Sequence, residues 1–171
     1  WMLKATGHAN VRVLDGGLDA WNGPMGTVPR KPTPANQPIA PMPYFGLVLV
    51  DEMVGNLQSK KNMVIDARSN DRYHGQNETL DPVGGHIPGA INHFFKGNLS
   101  ASAFRSPEQL YKDFLELLGS TKASEVIHSC GSGVTACHNL LAMEVAGLKG
   151  SRLYAGSWSE WCANPDRPVE L

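Results

Sequence analysis

The chain has 171 residues, 42% hydrophobic and 18% charged, enough for one good core with a tail or linker besides. Its formal net charge of −1 offers no basic field to a nucleic-acid backbone or an anionic membrane, and no stretch approaches the roughly 18 apolar residues of a membrane span. Three cysteines, at 130, 137 and 162, do not make a disulfide framework, so the chain reads as reduced and cytoplasmic, with small molecules as its partners.

In chain order, the first signal is an echo. "GHANVRVLDGGLDAW" (7–21) lies over "GLKGSRLYAGSWSEW" (147–161) without a gap, matching Gly7, Arg12, Gly16 and Trp21 to Gly147, Arg152, Gly156 and Trp161. Both copies read as a helix-ending glycine, a short strand (Val11 to Leu14; Arg152 to Tyr154), a glycine turn and a tryptophan segment. The pattern predicts a duplicated domain, with residues 1–22 the tail of a truncated first copy. Residues 23–43 hold seven prolines; proline fixes φ and removes a donor, which predicts an extended interdomain linker. A second domain is expected over 44–171.

Within it strands and helices alternate. "FGLVLV" (45–50) is a strand candidate, "DEMVGNLQ" a short helix begun by Asp51, and "NMVIDAR" a buried strand ending at Asp66. A glycine- and proline-rich loop leads to a short strand at Ala90 to Asn92. "SPEQLYKDFLELLG" predicts a helix with Ser106 as N-cap, Pro107 first, Gln109 closing a capping box and Gly119 beyond its end. "EVIHS" is a strand running into Cys130, and "ACHNLLAMEVAG" a helix just after it. Repeated βα units imply a mostly parallel sheet covered on both faces, and ligands in such sheets sit where strands give way to helices.

Cys130 stands at such a place. The turn from Gly131 to Ala136 lets consecutive N–H groups converge as an anion-binding nest, with the helix N-terminus behind them and the hydroxyls of Ser132 and Thr135 beside them. Such surroundings favour a thiolate nucleophile. The phosphatase loop C-x5-R requires an arginine where Ala136 stands, which counts against phosphoryl transfer or arsenate reduction. A C-x-x-C redox couple is absent because Cys137 lies two helical turns on. His128, Cys130, Cys137 and His138 do not follow a zinc-ligand spacing, so no metal is expected.

"CGSGVTA" (130–136), "DARSNDRY" (66–73), "GHIPGA" (85–90) and "GSWSEW" (156–161) resemble the catalytic C-terminal domain of two-domain rhodanese-type sulfurtransferases, the 3-mercaptopyruvate enzymes more than the thiosulfate enzymes. The resemblance implies an α/β fold with a five-stranded, mostly parallel sheet and helices on both faces. It implies that Cys130 takes a sulfane sulfur from 3-mercaptopyruvate or thiosulfate, forms a persulfide, and passes the outer sulfur to a thiol or to cyanide without a cofactor. Gly131, Ser132, Gly133, Val134 and Thr135 would cradle the sulfur, with Ser132 also handling protons. Arg72 would bind the donor's anionic group, and His74 would line the pocket mouth. The mercaptopyruvate enzymes usually carry a second arginine nine residues further on; here that position is Asp81. The resemblance also implies an N-terminal rhodanese domain as the partner of this one. A non-catalytic module that binds a partner or carries sulfur is the alternative. Asp66, Arg68 and His86 read as loop organisers, Trp158 and Trp161 as packing, and Cys162 as a bystander.

Overall fold

The computed structural model describes residues 1–29, 31 and 46–171. Most of the proline-rich stretch, and Phe45, the first residue of the strand expected over 45–50, lie outside the described residues. The chain opens with α1 (Met2–Ala5) and a 3-10 turn at Gly17–Ala20. Then come β1 (Leu47–Val48), α2 (Val50–Ser59), β2 (Met63–Asp66), α3 (Asn70–Tyr73), β3 (Ile91–Asn92), β4 (Leu99–Ser100), β5 (Ala103–Phe104), α4 (Pro107–Leu118), β6 (Val126–Ser129), α5 (Val134–Val145), β7 (Arg152–Tyr154) and α6 (Ser157–Cys162).

Five strands form one sheet in the order β1-β7-β6-β2-β3, every pair parallel. The β4–β5 hairpin, antiparallel and separate, was not expected from the sequence. Side chains alternate across the strands, and so the core divides in two. Val64 and Ile127 face Met53 of α2 and Trp158 and Trp161 of α6. Their neighbours Ile65 and Val126 face Leu110, Phe114 and Leu118 of α4 and Met143 of α5. Helices on both faces bury β6 throughout and all of β2 but Met63, so the polar ends of these strands, His128, Ser129 and Asp66, are buried with their apolar starts. No helix among the described residues is long and apolar enough to cross a membrane.

Local chemistry sets the element ends. The Ser106 hydroxyl accepts from the Gln109 N–H while the Gln109 side chain accepts from the Ser106 N–H, the reciprocal box expected at the start of α4. α5 begins at Val134, two residues ahead of expectation, because Gly133 takes a left-handed conformation (φ 80°) that turns the chain straight into the helix. One expectation fails: Val11 to Leu14 form no strand. They pair with no strand among the described residues; Val13 and Leu14 are exposed, and the one bond toward β5 is made by a side chain, Asp15 accepting from the Phe104 N–H at 2.9 Å.

Candidate active site

β6 delivers Cys130 to the carboxyl end of the sheet, where it is 1% exposed. The segment after β7 holds it there. The Cys130 N–H donates to the Ser157 hydroxyl (3.1 Å), which itself donates to the Tyr154 carbonyl (2.9 Å). The Trp158 N–H donates to the Cys130 carbonyl (3.0 Å), and both the N–H and the hydroxyl of Ser159 donate to the Gly131 carbonyl (2.9 and 2.8 Å). Ser157 adopts φ 52° to do this, a left-handed backbone unusual for a residue with a side chain.

These contacts shape the turn. The N–H groups of Gly131, Ser132 and Gly133 meet no acceptor among the described residues. Those of Val134 and Thr135 open α5, and the carbonyls four residues back, Cys130 and Gly131, turn to Trp158 and Ser159 instead. Five consecutive donors are thus left open at a helix N-terminus directly after the cysteine, the arrangement that suits an anion. Any substitute at Gly133 must push the backbone aside, since a Cβ there would lie 2.4 Å from the Ala155 carbonyl oxygen.

A cavity of about 500 Å³ opens over the turn, lined by Cys130, Gly131, Ser132, Val134 and Thr135 on one side and by Arg68, Arg72, Asp81 and Phe94 to Lys96 on the other. Arg68 is buried, with its guanidinium on Asp66 (2.8 Å) and on the Gly85 carbonyl (2.7 Å), 4.9 Å above the Trp158 ring. It organises the loop. Arg72 leans over Gly131, close enough that a Cβ there would stand 3.7 Å from its Nη2. Its Nε and Nη2 are held by Glu78 (3.0 and 2.8 Å), with Asp81 3.5 Å away, so Nη1 is the edge left for a ligand. Burial raises the Glu78 pKa, but hydrogen bonds from the Leu80 N–H, Arg72 and the Asp81 N–H outweigh it and hold the carboxyl below its ordinary range. Glu78 was not singled out from sequence; its only signal is its place six residues after Arg72.

His74 is a correction, because the structure does not bring it to this cavity. Residues two apart on a helical turn point about 200° apart, so Arg72 faces the cysteine and His74 faces away. Its exposed ring lies 4.9 Å from Tyr73 and 6.2 Å from His86. Ala136, where a phosphatase arginine would stand, is buried in the apolar cluster with Cys130, Ala67 and Leu153. Cys137 is half-buried, its Sγ donating to the Gly133 carbonyl, and desolvation pushes its thiol pKa up. Cys162 is shifted the same way for the same reason. Among the described residues no three His, Cys, Asp or Glu side chains are grouped to hold a metal.

The model of the rhodanese-like domain matches residues 49–164. The chain belongs to the rhodanese family. It is 41% identical over 99% of its length to a Pseudomonas aeruginosa protein named "probable 3-mercaptopyruvate sulfurtransferase", of which it spans 61%. It is 36% identical both to rat thiosulfate sulfurtransferase and to human 3-mercaptopyruvate sulfurtransferase, over 94% of this rhodanese chain and 56% of each relative. The chain therefore spans little more than half the length of these relatives. In fold it is similar to the anaerobic ergothioneine biosynthesis enzyme of Chlorobium limicola, with a TM-score of 0.83 at 23% identity over 99% of this chain and 43% of that one.

Proposed function

We propose that this chain is the catalytic domain of a sulfurtransferase that carries sulfur as a persulfide on Cys130, with 3-mercaptopyruvate as donor and a thiol or cyanide as acceptor. The observation that carries the reading is the run of open N–H groups from Gly131 to Thr135 directly after a buried cysteine at a strand end. The Cys130 thiolate attacks the donor sulfur, the sulfur–carbon bond breaks, and its electron pair leaves as the enolate of pyruvate, which takes up a proton. A new S–S bond remains on the enzyme. An acceptor thiolate then attacks the outer sulfur, and the Cys130 thiolate leaves.

In this reading the five N–H groups hold the negative charge on sulfur through both steps, fixed in place before the reaction rather than reorganised during it. The Ser132 hydroxyl, on the cavity wall, relays the proton to the enolate. Arg72 offers Nη1 to the donor's carboxylate, its remaining edge being occupied by Glu78. Residues 1–22 are read as the end of a first rhodanese domain that completes the site from above.

The test is the intact mass of the reduced chain before and after brief exposure to 3-mercaptopyruvate or thiosulfate, beside Cys130→Ser. A gain of about 32 Da, one sulfur atom, removed by cyanide and absent from Cys130→Ser, is the expected result. Faster loading from thiosulfate reassigns the donor. No gain from either overturns the reading in favour of a module that binds a partner.

A further inference from the structure

We propose that Lys96, rather than the arginine wall, supplies the charge that selects the sulfur donor, and that it selects a monoanion; this rests on the sulfurtransferase reading above. Three cations line the cavity with Cys130: Arg68, Arg72 and Lys96. The two arginines are already matched. Arg68 lies 2.8 Å from Asp66 and 3.6 Å from Glu78, while Arg72 lies 2.8 Å from Glu78 and 3.5 Å from Asp81. Glu78 and Asp81 are themselves nearly buried, with side chains 4% and 8% exposed, so solvent does little to screen them. Three carboxylates thus face two guanidinium groups, and the arginine wall presents a donor with shape and hydrogen bonds but no surplus positive charge.

Lys96 stands on the other wall and enters no ion pair among the described residues. Its ammonium lies 6.0 Å from the centre of the Phe94 ring, which lines the same cavity. Its backbone is fixed, although the side chain is exposed. The His93 and Phe95 N–H groups donate to the Asp66 and Ala67 carbonyls (2.9 and 3.2 Å), extending the β2 edge. Buried Asn98 closes the turn, donating to the Asn139 side chain (2.7 Å) and accepting at 2.9 Å from the His93 ring, while Asn139 donates to the His93 carbonyl at 2.8 Å. The segment carrying Lys96 is therefore pinned between β2 and α5.

With Lys96 counted, the charges about the cavity balance, and one cation is left without a carboxylate. A donor bearing one negative charge a few bonds from its sulfur satisfies that cation while its sulfur reaches Cys130. A compact dianion such as thiosulfate brings a second charge toward Glu78 and Asp81 with no cation left to meet it. The specificity comes from a charge shortage as much as from an attraction.

The experiment is single-turnover loading of Cys130, followed by quenched intact mass over a range of 3-mercaptopyruvate concentrations, for the wild-type chain, K96Q, K96E and K96R at low salt and at about 0.5 M salt. K96Q is expected to raise the half-saturating donor concentration about fivefold, to leave the maximal loading rate within about twofold, and to lose most of the salt dependence. K96E goes further in the same direction and K96R restores the wild-type value. An unchanged half-saturating concentration in K96Q, or a loss confined to the maximal rate, overturns the role of Lys96 while Cys130 still loads. A wild-type chain that takes up no sulfur overturns the sulfurtransferase reading and this one with it.

Discussion

The two copies of the glycine–arginine–tryptophan pattern, 7–21 and 147–161, share local sequence but not surroundings. Their helix-ending glycines agree, Gly7 at φ 90° and Gly147 at φ 81°, and so do Gly17 at 63° and Ser157 at 52°, but the aligned turn glycines differ, Gly16 at 83° and Gly156 at −63°. The strand between them does not agree. Arg152 to Tyr154 forms β7 between β1 and β6, whereas Val11 to Leu14 pairs with no strand among the described residues. Trp161 is fully buried and Trp21 is 48% exposed. A helix end is settled by a few adjacent residues, so it persists in both copies, whereas the turn after the strand shifts with its surroundings. A strand is settled by the strands beside it, and the same alternating pattern stays open when they are missing.

The largest effect that tests this contrast is the loss of the tryptophans. Trp161→Ala is expected to cost about 3–5 kcal/mol, the range for emptying a large core site, while Trp21→Ala changes stability by less than about 0.5 kcal/mol. Chemical denaturation of the two variants measures both, and equal costs would break the contrast. Next comes acid. His128 on β6 is fully buried, neither ring nitrogen hydrogen-bonded among the described residues, and burial, reinforced by His93, lowers its pKa to about 3. Its folded pKa lies below its unfolded one, so the unfolded chain takes the proton first. Stability is intact above about pH 6.5 and falls by roughly 1.4 kcal/mol per unit as pH drops toward 3. His128→Leu should flatten that slope in acid titrations followed by circular dichroism; an unchanged slope would assign it to other groups.

Much of the packed region was legible in advance for the same physical reason. The capping box at Ser106 and Gln109 is complete within four residues, and the adjacent apolar pairs Val64–Ile65 and Val126–Ile127 announce burial on both faces. Cys130 and its glycine turn were legible because the chemistry is contiguous in sequence. What failed or was missed depends on contacts between distant residues. The strand at Val11 lacked a partner, and His74 was misplaced because spacing in sequence does not report which side of a one-turn helix faces the cavity. Glu78 neutralises Arg72 through a loop whose path no periodicity encodes. Lys96 reaches the site only because Asn98 and Asn139 tie its segment to α5.

Smaller substitutions sharpen the contrast further. Gly17 and Gly133 are both left-handed, but a Cβ at Gly17 meets nothing within 4 Å, whereas at Gly133 it meets the Ala155 carbonyl. Gly17→Ala is expected to cost about 1–2 kcal/mol of backbone strain, and Gly133→Ala measurably more, with slower sulfur loading because the open N–H groups shift. The smallest difference is between the aligned arginines. Arg152 donates to Glu52 (2.6 Å) and to Asn62 (3.0 Å), and its pair with Glu52 is partly exposed to solvent on both sides. Arg12 forms no ion pair among the described residues. Arg152→Gln should therefore cost no more than about 1 kcal/mol, less in high salt, and Arg12→Gln close to nothing. A cost for Arg152→Gln well above that range, unaffected by salt, would mean that β7 is held in the sheet by this side chain rather than by its neighbours β1 and β6.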